Sequence, residues 1–155
     1  MIRTLSMSSL IVLLSGCALA APFEGPGYDM SEGLLIEADG PLIAVVTHAR
    51  HAKGKGKEFD AHVDAIVEQL EASPGYVGKS LRGEIGGRDA WTLSVWEDEA
   101  SVSGFMAQGA HLDAVNASSE ITELLRAARF EIAPEEMPPD WGEALDILDE
   151  QSPME

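Results

Sequence analysis

The apolar pattern between Leu42 and Ala133 constrains this chain most, because its period changes in a definite order. Leu42 to His48 is a β-branched apolar run, the signature of a strand. Phe59, Val63, Ile66, Val67 and Leu70 then recur at helical spacing until Ser73-Pro74-Gly75 stops them. Tyr76 to Glu84 and Ala90 to Trp96 read as two strands joined through a turn at Gly86-Gly87. Asp98 can cap a second helix carrying Val102, Phe105 and Met106, which Gly109 bends or breaks. Ile121, Leu124 and Leu125 mark a further helical segment, and Arg129 to Ala133 alternates as a last strand. The order β-α-β-β-α-β predicts an α+β, ferredoxin-like domain over residues 41–133.

Charge sets that domain apart from its flanks. Residues 17–40 hold five acids and no base, with Pro22, Gly25, Pro26 and Gly27 among them, and read as an acidic tether. Leu34-Leu35-Ile36 offers one short strand inside it. Residues 134–155 hold eight acids and no base and read as a solvated acidic tail. Trp141, Leu145 and Leu148 nevertheless recur at i, i+4 and i+7, a face able to dock on the domain. Over the whole chain 27 acids face 10 bases, a net charge of −17, which argues against a nucleic-acid partner. The single Cys excludes an internal disulfide framework and a Cys-cluster metal site. Three of the four His, at 48, 51 and 62, offer no metal pair: a spacing of three sets His48 and His51 on opposite faces of a strand.

The first residues carry a separate signal. Arg3 is the only charged side chain among the first 23, and the apolar run Leu10 to Leu14 follows it. That run is far short of the ~20 residues that span a bilayer, so residues 1–16 read as a signal peptide. It ends in Leu14-Ser15-Gly16-Cys17, which resembles the lipobox of bacterial lipoproteins. The resemblance implies acylation of Cys17, cleavage before it, and a protein tethered to a membrane outside the cytoplasm. Two or three acyl chains hold a protein firmly where one holds it marginally. In a cell with two membranes, Ala18 after the Cys would direct it to the periplasmic side of the outer one. The alternative is an ordinary secretory signal cut near Ala18-Leu19-Ala20, with Cys17 discarded.

Trp91 to Ala100, followed by Phe105 and Gly109-Ala110-His111, resembles the antibiotic biosynthesis monooxygenase (ABM) family of dimeric α+β barrels. Gly56-Lys57-Glu58 also fits that family's entry to its first helix. The resemblance covers about residues 41–133. It implies a homodimer of two face-to-face sheets, with ligands held between sheet and helices. A face-to-face dimer also follows from burial, since a four-stranded sheet with helices on one side leaves an apolar face open.

Within such a cavity His111 is the candidate acid–base group, because a neutral imidazole works near pH 7. The bland alternative is a His that caps the bend at Gly109. Trp91 and Trp96 are five residues apart and so face opposite sides of a strand. One can bind substrate from the helix side, with Phe105 and Thr47 beside it. The haem-degrading relatives use an Asn where Thr47 stands and a helix Trp where Phe105 stands, which counts against haem as a cofactor here. The quinone-forming relatives need no cofactor and bind a phenolic substrate that dioxygen oxidises. Three functions therefore compete: a cofactor-independent monooxygenase of a small aromatic or apolar molecule; an envelope lipoprotein that binds an apolar ligand such as haem; and a purely structural, dimerising lipoprotein.

Overall fold

The computed structural model describes residues 18–154. Cys17 and the apolar run before it, on which the lipoprotein expectation rests, lie outside the described residues. Strand β1 (Ala18–Ala20) comes first, then a small hairpin of β2 (Tyr28–Asp29) and β3 (Gly33–Leu34). The expected unit follows as β4 (Leu42–His51), α1 (Gly56–Glu71), β5 (Tyr76–Glu84), β6 (Asp89–Trp96), α2 (Glu99–Met106), α3 (Gly109–Ile121) and β7 (Thr122–Ile132). A last helix, α4 (Trp141–Gln151), closes the chain. The main sheet has the order β1-β5-β6-β4-β7 and is antiparallel throughout. This is the ferredoxin-like α+β fold, with β1 added to one edge.

The central strand explains the layering. Along β4, Ile43, Val45, Thr47 and Ala49 face one way, and Leu42, Ala44, Val46 and His48 the other. Both sets demand cover. On the first face α1 and α2 bring Leu70, Val102 and Phe105 against Ile43, Tyr76 and Trp96. Asp98 starts α2 as expected, its carboxylate accepting from the Ser101 N–H at 2.7 Å.

The second face is covered by the two flanks. Phe23 packs into Leu42, Ala44, Val77, Val95 and Ile132, with Tyr28, Leu34 and Ile36 closing over it. Helix α4 lays Ala144 and Leu148, both fully buried, on Val46, Leu93 and Ala128. The expected tether and tail are thus layers of the domain. Their acids point outward while the sparse apolar residues among them supply the contact. The short strand expected at 34–36 forms instead at Gly33–Leu34, paired with Tyr28–Asp29.

The expected third helical segment at Leu124 and Leu125 is corrected as well. Helix α3 ends at Ile121, Thr122 is already extended (φ −123°, ψ 147°), and β7 pairs with β4 from Thr122 to Ile132 with one register shift at Glu123. Ten register pairs with β4 outweigh a local i, i+3/i+4 coincidence of apolar side chains.

These layers remove the open apolar face on which a homodimer was expected. Chemical crosslinking of the full chain is expected to give a single-copy band. Leu148→Asp, which puts a charge under α4, is expected to loosen that helix and add crosslinked dimer.

Candidate functional site

Between the sheet and helices α1 to α3 lies a cavity of about 880 Å³. It arises because the sheet floor beneath the helices is built from small side chains: Thr47 and Ala49 on β4, Ala90 and Thr92 on β6, Gly83 on β5 and Ala127 on β7. The roof is larger and apolar, with Phe59, Val63 and Ile66 from α1 and Phe105 from α2. Helices rest on the bulky end of the sheet, near Trp96 and Tyr76, and stand clear of the small end. A volume of this size lies in the range of sites that bury a whole small-molecule ligand.

His111 borders this cavity at the break between α2 and α3. Three features set its position. Gly109 opens α3 at φ +62°, in the left-handed region, and a side chain there would collide with Gln69. Gln69, on α1, donates from Nε2 to the Phe105 and Gln108 carbonyls, both at 3.0 Å, and accepts the His111 N–H at 2.9 Å. One side chain thereby satisfies three backbone groups that the break would leave unpaired. The His111 ring then packs on Phe105, centroids 4.9 Å apart, and its Nδ1–H donates to the Met106 carbonyl at 3.2 Å.

A carbonyl can only accept, so that bond leaves the lone pair on Nε2. Burial holds the His111 pKa below its ordinary value of 6.5, against the smaller upward pull of the Met106 carbonyl. The ring is therefore neutral at pH 7 and has a free basic nitrogen. It also serves the bend, so the functional and structural readings of His111 describe the same side chain.

Of the other expected site residues, Thr47, Trp96 and Phe105 lie on the helix side and border the cavity. Trp96 is fully buried and its Nε1–H donates to Ser94 Oγ at 3.1 Å, so it serves as wall. Trp91 faces the other way, as a spacing of five requires. It borders the cavity, but its ring stacks on His48 on the α4 side, centroids 4.5 Å apart and planes 14° apart. Gln69 was not apparent in the sequence, where it is one more polar residue on a helix.

A buried polar chain on the α4 side was not apparent either. His48 Nδ1 accepts from Arg126 Nε at 3.2 Å, and its Nε2–H donates to Asp89 Oδ1 at 2.6 Å. Arg50 Nε also donates to both Asp89 oxygens, while Arg126 reaches the Asp149 carboxylate and the Ser152 carbonyl. The chain ties β4, β6 and β7 to the end of α4. Burial again holds His48 below 6.5, ahead of the opposing pull of Asp89. Among the described residues no three His, Cys, Asp or Glu side chains converge as metal ligands.

The fold is a ferredoxin-like α+β sheet with a cavity on its helix side. Residues 42–117 match the family model for antibiotic biosynthesis monooxygenases, and over that stretch the chain is similar to this domain family. Solved structures agree in fold. PA3566 from Pseudomonas aeruginosa is 14% identical, the match covering 63% of this chain and 98% of that one at a TM-score of 0.54. SO0527 from Shewanella oneidensis is 14% identical over 62% of this chain and 95% of its own, at 0.55. A conserved protein of Methanosarcina mazei is 17% identical over 60% and 94%, at 0.54. No curated protein matches the sequence.

The two depressed imidazoles make stability depend on pH in one direction. The unfolded chain takes up their protons near pH 6.5 and the folded chain only at lower pH. Stability is therefore fully present above about 6.5 and declines as pH falls toward the folded values. Urea midpoints at pH 7.5, 6.5 and 5.5 are expected to be level over the first interval and to drop over the second. A double His48→Gln, His111→Gln variant is expected to flatten that drop.

Proposed function

We propose that this protein is a membrane-anchored, cofactor-independent monooxygenase acting on an apolar molecule with a phenol-type hydroxyl. The observation that carries the reading is a neutral His111, with Nε2 free, on the wall of a large apolar cavity in an ABM-like domain. His111 accepts the phenolic proton, and the phenolate left behind is electron-rich enough to react with dioxygen. One oxygen atom replaces the ring hydrogen para to the hydroxyl, giving a quinone carbonyl, and the other leaves as water. The substrate supplies all four electrons, so no flavin, metal or haem enters the balance. Phe105 and Trp96 hold the ring by contact, and the Thr47 and Thr92 hydroxyls are the polar groups of the floor.

The full chain is expected to consume dioxygen with a naphthol or anthrol probe, and to lose at least ~100-fold in rate as His111→Gln, the usual scale for a general base. Gln69→Glu, which keeps the acceptor for the His111 N–H, shows whether loss of position alone mimics that effect. Unchanged turnover in His111→Gln would assign this side chain to the bend only. Binding of haem with a Soret band, without oxygen consumption, would favour the ligand-binding lipoprotein instead.

The anchoring part of the reading rests on Cys17 after Leu14-Ser15-Gly16. Strand β1 begins at Ala18, paired with Glu84, so an acylated Cys17 would hang the sheet edge directly at the membrane surface with no spacer. A fatty-acid probe is expected to label the wild type in cells and to leave Cys17→Ser unlabelled. Equal labelling would remove the anchor from the reading.

A further inference from the structure

The cavity is longer than a phenolic ring requires, and its shape narrows the substrate class. It touches all five strands of the sheet, from Leu19 on β1 to Leu125 on β7. Four strand spacings of about 4.8 Å make that crossing about 19 Å. Both ends are open and apolar: Leu19 is 62% exposed and Leu125 47%. His111 stands toward the β7 end, because the neighbouring Met106 sulfur accepts from Arg129 of β7 at 3.1 Å. Toward β1 the cavity continues past Leu81 and Gly83, where an added Cβ would meet only the Asp89 carbonyl, 4.0 Å away in ordinary contact. A compact ring system beside His111 would leave that half empty, and an apolar void forfeits its contacts.

We infer that the substrate carries a long unbranched or isoprenoid hydrocarbon tail, with its oxidisable polar head at His111 and the tail laid across the sheet toward β1. This rests on the cavity being the working site, as proposed above. Tail and head then meet different parts of the protein. The head meets the neutral imidazole and the hydroxyls of Thr47 and Thr92 on the two central strands, and the tail runs along Leu81, Gly83 and Leu19, past the Lys79 stem on β5.

The test uses the full chain held in amphipol, with cis-parinaric acid as fluorescent probe and unbranched 1-alkanols of six to sixteen carbons as competitors. Apparent affinity is expected to rise about fourfold per methylene and to level off once the chain fills the cavity. Gly83→Phe, which plugs the β1 half, is expected to weaken the longest alkanols at least tenfold and to leave hexanol and octanol unchanged. Leu19→Glu, at the open mouth, repeats the comparison should Gly83→Phe fail to fold. Affinity that stops rising at eight carbons, or a plug that weakens short and long chains alike in a folded variant, overturns the inference. Naphthol turnover without alkanol binding would overturn the tail and keep the monooxygenase reading. Neither binding nor turnover would end both.

Discussion

The structure depends on one constraint: strand β4 is apolar on both faces and sits inside the sheet, so each face must be covered. Residues of alternating direction cannot be satisfied by one layer of helices. On one side α1 to α3 provide the cover, and on the other residues 23–38 and α4 do. The rest follows from how well each cover fits. The flank side closes tightly, with Ala144 and Leu148 fully buried. The helix side closes only at the bulky Trp96 end, and the remainder is the cavity.

The two sides differ in their polar chemistry for the same reason. On the flank side, the Asp89–His48–Arg126–Asp149 chain runs paired from strand to helix end. Where packing is loose, the His111 Nε2 and the floor hydroxyls of Thr47 and Thr92 are left for a ligand. A neutral imidazole with one nitrogen tied and one free is useful only beside space. The helix break made by Gly109 and stitched by Gln69 puts it there.

Covering the second face from within the chain leaves the expected homodimer without the open apolar face it was argued from. Val46, Leu93 and Ala128 would be the natural seam of a face-to-face pair. Here they meet α4 instead. The acidic character of the two flanks suits this arrangement: their charged residues stay in water on the outer surface while a few apolar side chains make the contact.

The sequence by itself determined the order of the elements from β4 to β7, the cap at Asp98, the break at Gly109 and the opposite directions of Trp91 and Trp96. Each of these is local: a period, a capping side chain, a missing Cβ, an odd spacing. His111 was legible as a candidate because it follows that break. Only the tertiary structure decided that Leu124 and Leu125 belong to a strand, because the partner ladder on β4 is remote in sequence. It alone turned two acidic flanks into layers, since the face they cover is assembled from four different strands. It alone showed Gln69 holding His111 and His48 joined to Asp89 and Arg126, contacts that bridge from about forty to nearly eighty residues of chain. The cavity too is a tertiary fact: small side chains on several strands become a void only when helices resting elsewhere keep the roof from closing.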